Sequence, residues 1–225
     1  MLDRFVRYAK INTRSDLNSS AVPTTKSQLD FLQMLKQELK ELGFSNISLD
    51  LEDAYLVACI PSNLPEGKTA PSIGFVAHVD TADFNAENIQ PQVHLNYDGE
   101  DVLLNSELGL MMRVEEFPNL KNYIGQTLIT TDGTTLLGAD DKAGLVSILE
   151  AAIYLLVNPE IPHGDIWVAF GPDEEIGKGA HRFKAERMPA QFAYTLDSGV
   201  VGKLEYETFN AARAVVKING TSVHP

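Results

Sequence analysis

The sequence predicts an α/β fold, a three-layer αβα domain around a mostly parallel, mixed β-sheet. Strand-like and helix-like segments alternate along the chain, which is typical of this class. Apolar residues make up 44% of the 225 residues, enough to bury a large core. Several apolar strands end in acidic residues, and ligands of α/β sheets gather at the carboxyl ends of strands. The same pattern therefore predicts a binding site at one edge of the sheet.

Two helices are indicated by the spacing of apolar residues. Leucines near helical spacing predict an amphipathic helix over residues 27–42. We expect Ser27 to be its N-cap and Gly43 to end it. A second helix, buried on most sides, is predicted over residues 143–156.

Short apolar runs bounded by turn residues predict the strands. They cover residues 54–60, 72–79, 166–170 and 192–196. Asp132-Gly133 between two β-branched runs predicts a hairpin over residues 127–137. Residues 81–125 are polar and irregular, and a loop of that length is uncommon unless it serves a site.

Composition excludes several classes of function. The formal net charge of −13 argues against nucleic-acid binding, which needs clustered Lys and Arg. The apolar run within residues 143–157 is interrupted by Ser147 and Glu150, so we expect no membrane span. Charges interleaved with apolar residues over 1–8 disfavour a signal peptide. Cys59 is the only cysteine, which excludes an internal disulfide or a cysteine-based zinc cluster, and the cytoplasm is the expected location.

His78-Val79-Asp80 ends the predicted strand 72–79. Strand alternation puts His78 and Asp80 on the same side. A carboxylate there can accept a hydrogen bond from one imidazole nitrogen and leave the other free for a metal ion. Taken alone, the motif is more typical of an ordinary strand end with a solvent-facing aspartate.

Three further segments carry carboxylates: Gly138-Ala139-Asp140-Asp141-Lys142-Ala143-Gly144, Asp173-Glu174-Glu175 and Leu196-Asp197-Ser198-Gly199. Adjacent aspartates at a helix start are often caps that respond to the helix dipole. Consecutive acids also form solvated turns, and Asp before Ser-Gly is ordinary turn chemistry. Adjacent glutamates can instead divide a task, one binding a metal and the other taking a proton from water.

Together these segments supply one imidazole and several carboxylates at strand ends. That set of nitrogen and oxygen ligands suits zinc, with cobalt or manganese as substitutes. Two metal ions about 3.5–4 Å apart would form the clamp used by aminopeptidases and phosphatases. A structural calcium or magnesium site is the alternative, and His78 counts against it because hard cations prefer oxygen ligands.

The order of these motifs resembles the zinc metallopeptidases that include carboxypeptidase G and aminoacylase. His78-x-Asp80, Asp140-Asp141-Lys142-x-Gly144, Glu174-Glu175 and Asp197 carry the resemblance. Other stretches are more similar to the tripeptide aminopeptidases of that family. They are His78-Val79-Asp80-Thr81-Ala82-Asp83, Tyr123-Ile124-Gly125-Gln126, Gly138-Ala139-Asp140-Asp141-Lys142 and Thr221-Ser222-Val223-His224-Pro225.

The resemblance implies a ligand set for two zinc ions. His78 and Asp197 would hold one ion, Asp140 would bridge both, and Glu175 would hold the second. Cofactors implied for the complete enzyme are therefore two Zn2+.

The resemblance also implies roles for three residues that bind no metal. Asp80 would orient His78, and Glu174 would be the general base that activates water. His224 resembles a lid-domain histidine that contacts substrate and helps stabilise the oxyanion. The resemblance also implies a homodimer formed through the lid domain as a further partner, because in dimeric relatives this histidine can come from the neighbouring subunit.

One departure from the family pattern concerns length. The second zinc of the family needs another histidine from near the end of the full-length protein, and His94, His163 and His181 do not match its context. We therefore expect a fragment, with an incomplete catalytic domain over 1–207 and the first strand of a truncated lid domain over 208–225.

The expected function is metal-dependent release of the N-terminal residue from tripeptides, so short peptides are the expected partners and nucleic acid and membranes are not. The alternatives are a related zinc deacylase or carboxypeptidase on the same site, or a non-catalytic fragment. A panel of tripeptides, dipeptides and acyl-amino acids would separate the enzymatic alternatives.

Overall fold

A computed structural model describes residues 1–197, 199–208, 210–212 and 214–221. Its α-helices are α1 (Leu2–Ala9), α2 (Lys26–Leu42) and α3 (Ala139–Val157). Its strands are β1 (Ser45–Leu49), β2 (Leu56–Ile60), β3 (Ile73–His78), β4 (Gln92–His94), β5 (Val102–Asn105), β6 (Leu110–Met112), β7 (Leu128–Thr130), β8 (Ile166–Gly171) and β9 (Phe192–Thr195). Short 3-10 helices cover Pro118–Tyr123, Ala180–Arg182 and Ala185–Arg187.

The main sheet has five strands in the order β1-β2-β8-β3-β9. Strand β3 runs parallel to both β8 and β9, whereas β2 is antiparallel to β1 and β8. The α/β class and the mixed sheet are therefore confirmed. Because β8, β3 and β9 are neighbours and parallel, the segments that follow them emerge at the same edge of the sheet.

The principal core lies between the main sheet and the three α-helices. Side chains of α2 such as Leu32, Leu35 and Leu39 pack there against Phe170 of β8 and Leu149 of α3. In the described part of the chain, the opposite sheet face is covered by residues 180–190 rather than by an α-helix.

Helix α2 shows how the local signals work. Its apolar stripe faces the core as the leucine spacing predicts. Gly43 ends it in the left-handed region with φ +93°, and its N–H donates to the carbonyls of Leu39 and Lys40. The predicted N-cap was wrong: Thr25, not Ser27, precedes the first turn. The segment before α2 is held by contacts distant in sequence, which local spacing does not report.

The predicted hairpin over 127–137 is also wrong. Strand β7 pairs with β4, about thirty-five residues earlier, and no strand follows Gly133 before α3. Asp132 Oδ1 instead accepts hydrogen bonds from the N–H and hydroxyl of Thr134, which closes a local turn. Residues 81–125, expected to be irregular, contain β4, β5 and β6. Strand β4 pairs with β7 and β5 pairs with β6, which gives two small sheets near Tyr97, Val102 and Leu120.

The strand predicted at the start of a lid domain is not present in the described residues. Between 203 and 221 these carry no helix or strand and are exposed. A strand needs a hydrogen-bonding partner, and the described residues there pair with no other strand. Among the described residues, no helix is long and apolar enough to cross a membrane.

Candidate metal centre

The acidic segments predicted to share a site come together at the carboxyl edge of β3, β8 and β9. His78 is the last residue of β3, and Glu174 and Glu175 follow β8 by three and four positions. Asp197 lies two residues beyond β9. Asp140 enters from the start of α3, where Asp140 and Asp141 have non-helical backbone angles, so the regular helix begins after them.

His78 is the centre of this cluster. Its imidazole is buried, and Nδ1 lies 2.9 Å from the carbonyl oxygen of Asp80 and 3.3 Å from Asp80 Oδ1. Nε2 lies 2.9 Å from Asp140 Oδ1, 3.7 Å from Asp197 Oδ2 and 3.8 Å from Glu174 Oε2. One ring nitrogen is therefore held by Asp80, and the other faces the carboxylates.

Asp80 contacts more than His78. Its side chain is fully buried, and its two carboxylate oxygens accept the backbone N–H groups of Glu174 at 2.9 Å and Glu175 at 3.2 Å. Asp80 therefore joins the end of β3 to the turn that carries both glutamates.

Asp141 also belongs to the cluster, although the sequence did not assign it a role. Its side chain is buried, Oδ1 accepts from Gly144 N at 3.2 Å, and Oδ2 has no hydrogen-bond partner among the described residues. A buried carboxylate oxygen without a partner is costly, and a bound cation would satisfy it. The adjacent-aspartate motif marked this position, but a helix cap explained it equally well.

Two groups of ligand atoms meet within 4.8 Å of one another. His78 joins Asp141 and Asp197 in one group, and Asp140 and Glu175 in the other. Imidazole nitrogen with carboxylate oxygens is a donor set that fits a divalent transition metal. The residues present therefore fit a divalent metal ion, and both groups share His78.

The electrostatics favour a cation as well. Burial lowers the pKa of His78, but the hydrogen bond to Asp80 and the charges of Asp80, Asp141 and Asp197 outweigh it and raise the pKa to about 10. Burial and neighbouring carboxylates raise the pKa of Asp141 to about 8. Burial also raises the pKa values of Glu175 and Asp197. The site thus concentrates more negative charge than its surroundings neutralise.

Glycine at position 144 explains part of the motif that precedes α3. A Cβ there would overlap the carbonyl oxygen of Leu196 and the carboxylate of Asp141. The missing side chain lets the end of β9 approach α3. Asp141 and Asp197 are thereby brought to the same side of His78.

The other three histidines that the structure describes, His94, His163 and His181, contribute nothing to the cluster. His94 Nε2 lies 3.0 Å from Thr130 Oγ1, and His163 Nδ1 lies 2.8 Å from the carbonyl oxygen of Gly164. His181 lies in the short 3-10 helix over 180–182. His224 lies outside the described residues, so its expected contact with substrate stays a prediction.

Comparison with known proteins gives close relatives, although no family model matches the chain. It is 59% identical over 223 residues to peptidase T of Fusobacterium nucleatum, covering 99% of this chain and 53% of that protein. It is 54% identical over 226 residues to peptidase T of Enterococcus faecalis, covering 100% of this chain and 55% of that protein. The chain therefore spans about half the length of the curated relatives it matches.

Solved structures of peptidases are also similar to this chain. A tripeptidase from Staphylococcus aureus aligns with TM-score 0.60 and 25% identity, covering 88% of this chain and 43% of that one. Aminopeptidase PepT from Bacillus cereus aligns with TM-score 0.61 and 26% identity, covering 88% of this chain and 42% of that one. Along essentially its whole length, the chain is therefore similar to proteins named peptidase T.

Proposed function

We propose that this chain supplies the metal-binding, catalytic part of an aminopeptidase that releases the N-terminal residue from tripeptides. The observation that carries the proposal is the convergence of His78, Asp140, Asp141, Glu175 and Asp197 at one sheet edge. The names of its relatives support the substrate class: the curated ones are called peptidase T, and one solved structure is called a tripeptidase.

The proposed cofactor is a pair of zinc ions. Asp141 and Asp197 would hold one ion, Asp140 and Glu175 the other, and His78 is close enough to serve either. When bound, zinc acts as a Lewis acid toward a carbonyl oxygen and makes water more acidic. The proposed set adds Asp141 to the ligands that the family resemblance implies.

Glu174 is the proposed general base. Its side chain is about half exposed, with Oε2 3.8 Å from His78 Nε2 and its backbone N–H held by Asp80. A carboxylate in this position can take a proton from the attacking water and return it to the leaving amine. Because it need not bind metal, its loss separates turnover from metal binding.

The test compares metal content and peptide hydrolysis. The unsubstituted chain and its Asp140→Ala and Glu174→Ala variants are purified without chelator, saturated with zinc and assayed for metal per chain. Hydrolysis of tripeptides, dipeptides and acyl-amino acids is measured on the longest gene product that carries this chain. We expect Asp140→Ala to lose zinc, and Glu174→Ala to keep zinc while losing most tripeptide turnover.

Three results would each contradict one part of the proposal. If the protein is well folded but binds no zinc at a saturating zinc concentration, the proposed zinc site is wrong. Wild-type turnover by Glu174→Ala would remove the base. A preference for acyl-amino acids would favour the deacylase alternative. The homodimer and the cytoplasmic location remain predictions for the same gene product, to be checked by mass measurement in solution and by cell fractionation.

A further inference from the structure

The amide nitrogen and the amide oxygen of the Gln28 side chain, on α2, both form hydrogen bonds with Asp173. The Gln28 side chain is fully buried. Nε2 donates to Asp173 Oδ1 at 2.9 Å, and Oε1 accepts from Asp173 N at 3.1 Å. We infer that Gln28 is a positioning residue whose two contacts with Asp173 hold the Glu174–Glu175 turn against the metal site. The inference rests on the proposed function and adds a residue that binds neither metal nor substrate.

Asp173 is the structural member of the three consecutive acids. Its side chain is fully buried, unlike that of Glu174, and its carboxylate also accepts from the N–H and hydroxyl of Thr24 and from Arg182 Nη1. Its φ is +59°, a region that a residue with a side chain adopts when its surroundings hold it there. Gln28 supplies the acceptor for the backbone N–H at this unusual position.

The turn after Asp173 is held from two sides. On the α2 side, Gln28 holds the backbone and carboxylate of Asp173. On the β3 side, Asp80 accepts the N–H groups of Glu174 and Glu175. Removing Gln28 leaves a buried N–H without that acceptor, so Asp173 is then held on this side through its carboxylate contacts with Thr24 and Arg182 alone, and the turn should shift about Asp80.

The two ligand groups depend differently on this turn. Glu175 is carried by the turn and belongs with His78 and Asp140. Asp141 is carried by α3, and Asp197 by the segment after β9. A displaced turn should therefore weaken the first group and leave the group of His78, Asp141 and Asp197 intact. A general loss of stability would instead weaken zinc binding by both ligand groups alike.

The experiment is a zinc titration, by calorimetry against a competing chelator, of the longest gene product that carries this chain. Glu175→Gln and Asp141→Asn identify which binding step belongs to which group. Gln28→Met keeps the length of the buried side chain and removes both hydrogen bonds to Asp173, together with those from Nε2 to Thr24 Oγ1 and Thr25 Oγ1. Gln37→Met is the matched control, since Gln37 lies on the same helix but is exposed, and its side chain donates a hydrogen bond to Glu41 rather than to Asp173.

We expect Gln28→Met to weaken, at least about tenfold, the zinc-binding step that Glu175→Gln also weakens. Residues that orient metal ligands without binding the metal have effects of this size. The zinc-binding step that depends on Asp141 should stay unchanged. Gln37→Met should change neither step. In the longest gene product that carries the chain, Gln28→Met should lower kcat more than it raises KM.

A second variant pair keeps the test decisive if Gln28→Met folds poorly. Gln28→Glu alone puts two carboxylates together and should weaken the same step, whereas Gln28→Glu/Asp173→Asn restores a donor–acceptor pair and should recover part of the affinity. Both zinc steps unchanged in Gln28→Met and Gln28→Glu would overturn the inference, as would equal weakening of both steps. No saturable zinc uptake by the unsubstituted chain would overturn the proposed function itself, and the inference with it.

Discussion

The backbone N–H of Glu174 donates a hydrogen bond to Asp80 Oδ1 at 2.9 Å. Asp80 follows β3, and Glu174 follows β8, so this hydrogen bond joins the ends of two parallel strands. The two residues are ninety-four positions apart in the chain. The same carboxylate accepts from Glu175 N and contacts His78 Nδ1. One buried carboxylate thus sets the relative position of a metal ligand and the proposed base.

Replacing Asp80 should therefore impair both parts of the site. Asp80→Asn presents one amide N–H₂ group to backbone N–H donors, so one of the two turn contacts is lost. We expect zinc affinity to fall about 10–100-fold, as for other residues that orient metal ligands. Competition titration with a chelator measures this. Asp98→Asn, at an exposed turn far along the chain, is the control; equal affinity in both variants would contradict the role given to Asp80.

Gly144→Ala should destabilise the chain and disturb one ligand group. The added Cβ would overlap the carbonyl oxygen of Leu196, which cannot move without shifting backbone, and the carboxylate of Asp141, which would have to rotate away. Overpacking of this kind costs about 1–3 kcal/mol in the free energy of unfolding. Urea denaturation measures it. Gly199→Ala, where a Cβ meets open space, should be close to neutral, and a similar loss in both variants would rule out the close approach as the cause.

Leu35→Ala should destabilise the helix-covered face of the sheet. Leu35 is fully buried in the principal core, so its truncation loses transfer energy and leaves a cavity. We expect a loss of about 2–5 kcal/mol in the free energy of unfolding. Chemical denaturation with a two-state fit measures it. Leu51→Ala, at an exposed position, should change stability by less than about 0.5 kcal/mol.

Glu38 should make stability depend on pH. Burial raises the pKa of Glu38, but hydrogen bonds from Arg7 and Tyr8 outweigh it and lower the pKa below the usual 4.5. A carboxyl whose folded pKa is lowered contributes stability above its unfolded pKa and loses it as pH falls through the folded value. Glu38→Gln should thus lower the urea midpoint at pH 7, with the difference from wild type shrinking below about pH 4.5.

The control for this pH dependence is Glu41→Gln, an exposed glutamate one turn along the same helix. Its difference from the wild-type chain should be small at both ends of the pH range. A gap between Glu38→Gln and wild type that stays constant from pH 7 to pH 3 would mean that packing, not charge, explains the effect.

The sequence alone predicted those features that depend on neighbouring residues. Apolar spacing placed helix 27–42 and strand 72–79 to within a residue or two of α2 and β3, because burial periodicity is a local property. Gly43 was predicted as a helix end for the same reason. His78 and the acidic segments were predicted to share an edge because parallel strands bring their carboxyl ends together.

Tertiary structure alone decided which acids face the site. Asp173, Glu174 and Glu175 are consecutive, yet Asp173 turns inward to Gln28 and Thr24 while Glu175 joins the metal ligands. The sequence pattern around Asp141 is also typical of a helix cap. Only the close approach of the segment after β9 at Gly144 shows that Asp141 lies in the cluster. These assignments rest on contacts between segments far apart in the chain, and local periodicity carries no information about such contacts because it reports only which face of an element is buried.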